Sequence, residues 1–226
     1  MREYLKLLQT SALFEGISED EILQLLVCLN ANIRVFGRGE TVLRLGEALE
    51  HIGLVLNGRV LVFRDGLLGE RTLIAQVSKG GLFAEALAFA RIRELPVSVE
   101  ALEKSDILFL KSAKLLATCH SNCVFHRTLV SNMMSILAQK SLLLSSKIRH
   151  ISKRTTREKL LSYLYEQAST SKSTQFIIPF NRQELADYLC VDRSAMSNEL
   201  SKLQQEGILS FHKSAFKLME YKQHKD

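Results

Sequence analysis

The chain has 226 residues, of which 46% are hydrophobic and 24% charged, a composition that excludes a disordered polymer and leaves room for two domains with cores of their own. The formal net charge of +6 permits a nucleic-acid partner without locating one, because Lys and Arg exceed Asp and Glu by 18 to 15 over residues 1–151 and by 12 to 9 from residue 152 onward. No apolar run approaches the ~20 residues that span a bilayer, residues 1–10 have neither a long apolar segment nor a cleavage site, and four cysteines without a signal segment are expected as reduced thiols of a cytoplasmic protein without a membrane partner.

Residues 1–30 open with a helical pattern. Ser18-Glu19-Asp20-Glu21 is a capping box ahead of Ile22, Leu23, Leu25 and Leu26. Over residues 33–110 the period changes. Residues 52–63 are apolar and β-branched, broken by Asn57-Gly58, which reads as a hairpin turn. Arg64-Asp65-Gly66 and Leu68-Gly69 mark a second hairpin end, and most glycines of the chain fall in this region. Short strands between frequent turns predict a small antiparallel barrel or roll.

Residues 124–151 contain no Gly or Pro and read as one long helix. Val130, Met134, Leu137, Ser141, Leu144, Ile148 and Ile151 recur at alternating steps of four and three, a coiled-coil seam over about three heptads. A helix buried in its own domain would need no such strict repeat, so the seam predicts a partner helix, most simply from a second copy of the chain. Ser141 is small and polar there and weakens the packing locally, or lines a ligand pocket beside the seam.

Thr155-Thr156-Arg157-Glu158 is another capping box, expected to start a helix over 156–168, with a polar loop over 168–174. Residues 209–212 and 215–218 alternate around Lys213-Ser214, the pattern of a β-hairpin wing. Between them, residues 180–209 read as two short helices around a tight turn. Asn181 and Glu184 form a capping box, Ala186 is small where two helices cross, and Cys190 falls where Gly normally takes positive φ. Asp192 caps the second helix, and Leu185, Leu189, Val191, Met196, Leu200 and Leu203 form the inward face. In a helix-turn-helix the N-terminal residues of the second helix reach base edges in the major groove, here Arg193, Ser194, Ser197 and Asn198. Arg pairs with guanine and Asn with adenine, while Gln183, Ser201 and Lys202 are better placed for phosphates.

At these residues the sequence resembles the Crp/Fnr family of bacterial transcription regulators. The resemblance rests on Arg182-Gln183-Glu184-Leu185-Ala186 followed by Asp192-Arg193-Ser194, and on Gly39-Glu40, the Gly53 to Gly58 segment and Phe83-Ala84-Glu85-Ala86. It implies an α+β chain in three parts: an effector-sensing antiparallel β-roll, a jelly roll like cyclic nucleotide-binding domains, over 1–123; a dimerisation helix over 124–151; and a winged helix-turn-helix over 152–226. It also implies a homodimer that binds an inverted-repeat operator in double-stranded DNA and engages RNA polymerase. Many members carry Glu-x-x-Ser-Arg on the recognition helix. Residues 194–198 here are Ser-Ala-Met-Ser-Asn, so the operators of those members do not transfer.

The same resemblance frames the signal. A cyclic nucleotide needs a Glu for the ribose hydroxyl, matched by Glu85, and an Arg for the cyclic phosphate, where this chain has Leu95 followed by Pro96. Arg91 and Arg93 lie nearby and are expected on an exposed turn. The effector is therefore expected to be a small molecule other than cyclic AMP, held near Phe83, Ala84, Glu85, Leu95, Pro96 and Ser141 where the β-roll meets the dimer helix. A cyclic-nucleotide-responsive member is one alternative, and a metal- or redox-responsive regulator another: on a helix Cys119, Cys123 and His126 share a face that suits zinc, iron or a thiol pair. The competing reading makes the two cysteines small core residues and His126 a hydrogen-bonded one. The N-terminal cysteine cluster of the family's iron–sulfur sensors and a haem-attachment motif are absent. Glu85 has a plain alternative as a salt-bridging residue on a solvated turn. An enzyme is not expected: no phosphate loop, nucleophile elbow or general-base Glu accompanies these residues.

Overall fold

A computed structural model describes residues 2–66, 71–116 and 124–219. The chain divides into two compact units, Met1–Ala138 and Gln139–Asp226.

In the first unit, helices α1 (Leu5–Thr10) and α2 (Glu19–Cys28) precede the strands. The predicted capping box starts α2, with the Glu21 carboxylate accepting from the Ser18 backbone N–H at 2.9 Å. The described strands form two antiparallel sheets. One contains β1 (Asn32–Phe36), β8 (Ser105–Lys111), β3 (His51–Asn57) and β6 (Leu82–Phe83), in that spatial order. The other contains β2 (Thr41–Leu43), β7 (Ser98–Ala101), β4 (Arg59–Asp65) and β5 (Arg71–Ser78). Short helices α3 (Glu85–Phe89) and α4 (Ser112–Leu116) follow β6 and β8.

The apolar run of β3 is continuous because both of its faces are buried. Ile52, Leu54 and Leu56 pack on Leu8, Phe14, Ile22 and Leu25 of the helical layer. Val55 points the other way, into the space between the sheets with Phe36, Val60, Phe83, Val99 and Ile107. Strand β8 alternates likewise, Leu108 and Leu110 toward the helices, Ile107 and Phe109 toward the second sheet. Gly53 faces Phe83 so closely that a Cβ would lie 2.0 Å from the ring.

Asn57-Gly58 is not a hairpin turn. Strand β3 pairs with β6 and β8, whereas β4 pairs with β5 and β7. The dipeptide carries the chain from one sheet to the other, a corner whose partners are distant in sequence: Ser105 Oγ accepts from the Arg59 N–H at 3.1 Å and donates to Glu103 O at 2.8 Å. The second expected hairpin is present as β4 and β5, and Leu68-Gly69 at its tip lies outside the described residues.

Helix α5 (Val124–Ile151) has the predicted bounds and crosses the division between the units. Leu129 and Met133 are buried in the first unit's core, with Ile136 and Leu137 packed against it. In the second unit, α6 (Thr156–Ser171) is longer than expected, so Ala168–Ser171 is helix rather than loop, and Lys172 ends it in the left-handed region at φ 51°. The capping box of Thr155 and Glu158 starts it. Helices α7 (Arg182–Leu189) and α8 (Arg193–Gln205) and the wing strands β10 (Leu209–His212) and β11 (Ala215–Leu218) follow the sequence reading. Strand β9 (Gln175–Ile177) did not figure in it; it pairs with β11 and completes a sheet of order β10-β11-β9.

Gly58 has φ +80°, and an added Cβ would lie 2.3 Å from Ser105 Oγ and 2.5 Å from Lys104 O. Gly58→Ala therefore combines backbone strain with a clash at the sheet corner. It should destabilise the first unit by about 2–4 kcal/mol, seen as an earlier urea transition by far-UV circular dichroism.

Candidate nucleic-acid interface

The sequence builds the two-helix element from local signals. Asn181 Oδ1 accepts from the Glu184 N–H at 3.0 Å, and the Glu184 carboxylate accepts from the Asn181 N–H at 2.7 Å, which satisfies donors at the start of α7. Cys190 then takes φ 52° and ψ 56°, and the N–H of Val191 reaches back to Ala186 O at 3.0 Å. That left-handed residue reverses the chain within a few residues. Asp192 Oδ1 accepts from the Ala195 N–H at 2.8 Å and starts α8.

Packing fixes the rotation of α8. Met196, Leu200 and Leu203 are buried with Leu185, Ala186 and Leu189 in the core of the second unit, and Val191 packs at its edge. Ala186 has no exposed surface. With that face inward, Arg193, Ser194 and Asn198 are exposed and Ser197 is half-buried. Gln183, Ser201 and Lys202 are also exposed. Gln183 Nε2 donates to Asp187 Oδ1 at 2.8 Å and Ser201 Oγ to Ser197 O at 3.1 Å, so both are pre-oriented by their own helices.

Three cations hold the element from behind, and none had a local sequence signal for that task. Arg157 of α6 bonds Glu199 of α8 at 3.2 Å and Glu206 just beyond it. Glu206 raises the Arg157 pKa above the ordinary guanidinium value, and Arg157 in turn holds Glu206 below the usual carboxylate range. Lys159 Nζ donates to Cys190 O at 3.3 Å, on the carbonyl of the left-handed turn. Arg182 lies over the rings of Phe211 and Phe216, 4.7 and 5.2 Å from their centroids, and desolvation lowers its pKa. Its charge docks the wing against the start of α7.

Of the residues assigned to an effector, all but Ser141 lie in the first unit, at two places. Phe83, Ala84 and Glu85 are consecutive at the start of α3, with Ala84 at φ 64°. Glu85 is 4% exposed, so it is buried and does not sit on a solvated turn. Leu95 is 2% exposed and held by backbone bonds to Gly46 and Glu47, while Pro96, Arg91 and Arg93 are exposed. Ser141 is exposed and belongs to the second unit.

Along the seam of α5, Met134, Leu144 and Ile148 are exposed at 61–62%, and Val130, Leu137 and Ile151 are half-buried. His126 is buried, with Nε2 3.5 Å from Leu115 O and Nδ1 without a partner among the described residues. Cys119 and Cys123 lie outside the described residues. Among those described, no three His, Cys, Asp or Glu side chains are grouped to hold a metal ion, and no helix is long and apolar enough to cross a membrane.

Comparison with known proteins agrees with both units. A family model described as the cyclic nucleotide-binding domain matches residues 33–122, and one described as the Crp-like helix-turn-helix domain matches residues 158–222. No curated protein sequence matches the chain. Among solved structures, DNR from Pseudomonas aeruginosa is 20% identical with a TM-score of 0.52, covering 97% of this chain and 95% of its own. The c-di-GMP-responsive global regulator CLP of Xanthomonas campestris is 16% identical with a TM-score of 0.54, covering 88% of this chain and 98% of its own. At these identities the likeness to solved structures carries the fold, while the family models carry the family.

The left-handed conformation at Cys190 sets the tolerance of the turn. Cys190→Gly should leave the melting temperature of the second unit within about 3 °C, since strain relief offsets added chain entropy. Cys190→Val should destabilise it by about 1–3 kcal/mol, because a β-branched side chain is poorly tolerated at positive φ. Thermal melting followed by circular dichroism separates the two.

Proposed function

The chain belongs to the Crp/Fnr family of transcription regulators, and from that premise we propose that it is a homodimer that reads an inverted repeat in double-stranded DNA under the control of a small-molecule effector. The observation that carries the reading is the exposed polar first turn of α8, with Arg193, Ser194 and Asn198 outward and Met196, Leu200 and Leu203 inward. Arg193 reads a guanine and Asn198 an adenine, with Ser197 beside them. Gln183, Ser201 and Lys202 set register on phosphates.

The second copy is proposed from α5. A stripe that leaves Met134, Leu144 and Ile148 more than half exposed is unfavourable in water, and a matching helix would cover it. Two antiparallel-facing reading heads then demand a two-fold symmetric operator. The effector is proposed to act near Phe83, Ala84 and Glu85, where the β-roll and the dimer helix would communicate, with Leu95, Pro96 and Ser141 as further candidates. It must bind one arrangement of the dimer more tightly than the other, for otherwise it shifts nothing. Cyclic AMP fits poorly. Leu95 is apolar and buried where a phosphate would need a guanidinium, and Arg91 and Arg93 are exposed. Engagement of RNA polymerase and a cytoplasmic location follow from the same reading.

Selection of fragments from genomic DNA by the purified protein, with and without cell-extract metabolites, tests the function. A discrete palindromic site is expected, and enrichment of no common sequence would refute it. In the same selection Asn198→Ala should lose about 1–3 kcal/mol of discrimination at a single adenine in each half-site; unchanged base preference would remove Asn198 from the reading face. Leu144→Glu should give a monomer by sedimentation and lower affinity for the inverted repeat by about 100-fold or more, as the second reading head is lost. A persisting dimer would sink the seam assignment.

A further inference from the structure

The junction between α5 and α6 holds a polar cluster that no role assigned so far uses. His150, in the last turn of α5, is 1% exposed. Its Nε2 lies 2.5 Å from Glu166 Oε2 and its Nδ1 2.8 Å from Ser162 Oγ, both on α6. Ser146 Oγ, one turn earlier on α5, donates to the same Glu166 oxygen at 2.5 Å, and Arg149 donates to the other at 2.6 Å. Ser146 and His150 are four residues apart on one helix, as are Ser162 and Glu166 on the other, so one stripe of each helix faces the other. The imidazole edge packs on Tyr163 at 5.7 Å and near Tyr188 of α7 at 6.4 Å. Burial pushes the Glu166 carboxyl up, but the hydrogen bonds from Ser146 and His150 outweigh it, and the group is held ionised below its ordinary range.

We propose that His150 and Glu166 are positioning residues that set the angle between the dimer helix and the DNA-reading unit, and thereby the spacing of the two half-sites. The proposal rests on the dimeric DNA-reading function above. Apolar faces slide past one another at little cost, whereas directional bonds to a buried imidazole hold one geometry, because a buried ring nitrogen left without its partner is expensive. The link is also short. Helix α5 ends at Ile151 and α6 begins at Thr156, and the N–H groups of Arg154 and Thr155 are both bound by Glu158 at 3.1 Å. The lever is long: α6 has 16 residues, about 24 Å at 1.5 Å per residue. A change of about 10° in its angle would move its far end by about 4 Å, more than the ~3.4 Å between successive base pairs. A modest loosening of the clasp is therefore enough to misplace a reading head by a base pair.

The test uses the full chain and duplexes in which two half-sites from the genomic selection are inverted and separated by spacers stepped one base pair at a time. The wild type should prefer one spacer. In His150→Ala and Ser162→Ala the preference over the neighbouring spacers should fall by about five-fold, while affinity for a duplex with a single half-site stays within about two-fold because the reading face is untouched. Glu166→Gln keeps its one acceptor oxygen for Ser146 and the imidazole N–H and loses only the exposed bond to Arg149, so it should retain most of the wild-type preference. Ser162→Ala removes a single bond and decides the matter if His150→Ala does not fold by circular dichroism. Folded alanine variants with an undiminished spacer preference, or a parallel loss of single-half-site binding, would overturn the proposal. A wild type that selects no paired half-sites refutes the dimeric reading itself, and the clasp's role with it.

Discussion

Burial of Leu129 and Met133 fixes how α5 is rotated about its own axis. A helix has only so many faces, and these two residues commit one of them to the core of the first unit. Met134, one position on from Met133, is turned away from that core, and Leu144 and Ile148, further along the helix than the core reaches, are exposed as well. Had Met134 been the residue taken into the core, the near end of that apolar stripe would have been consumed internally.

The second unit solves a related problem, that of presenting a polar helix turn without letting it move. Met196, Leu200 and Leu203 set the rotation of α8 through burial, but apolar contacts alone permit it to slide along its axis. The charged contacts from α6 remove that freedom. Arg157 bonds carboxylates on both sides of the last turns of α8, and Lys159 holds the carbonyl at the turn between α7 and α8. These exposed pairs contribute little to stability in water. Their effect is geometric: they make α6 the platform against which the reading surface is aligned. Whatever orients α6 also orients Arg193 and Asn198.

The parts legible in the sequence are those whose signal is local. Caps at Ser18, Thr155, Asn181 and Asp192 each need a partner three residues away, and all four are formed. The bounds of α5, the left-handed Cys190 and the wing hairpin were equally readable, because helix period and turn chemistry extend over only a few residues. What was misread depends on distant residues. Asn57-Gly58 looks like a hairpin turn in isolation, and only the pairing of β3 with β8 and of β4 with β7 makes it a corner. Strand β9 is three residues long and exists because β11 offers an edge. The end of α6 was placed too early because Ser and Thr are weak helix formers, yet Ala168 is buried in the core of its unit and keeps the last turn in place. The alternative that put Glu85 on a solvated turn fails for the same reason, since its position after β6 buries it.

Two features of the chain bear on how a signal could reach the reading surface. Helix α5 is continuous from Val124 to Ile151 and shares its last turns with the second unit. Its apolar seam residues Ile148 and Ile151 alternate with Arg149 and His150, which turn toward α6. A change in the pitch or rotation of the seam therefore moves the imidazole at the same moment. In the proposed dimer the coupling would need no chain of intermediate residues, since adjacent positions on one helical turn would face the partner helix and α6 at once. For an effector to act through it, its binding energy must differ between two rotations of α5 by more than the cost of disturbing four hydrogen bonds to Ser162 and Glu166. At about 1 kcal/mol for each bond strained rather than lost, disturbing all four would ask for more than the ~1–3 kcal/mol of a typical coupling between sites, so a signal of ordinary size would strain only part of the cluster.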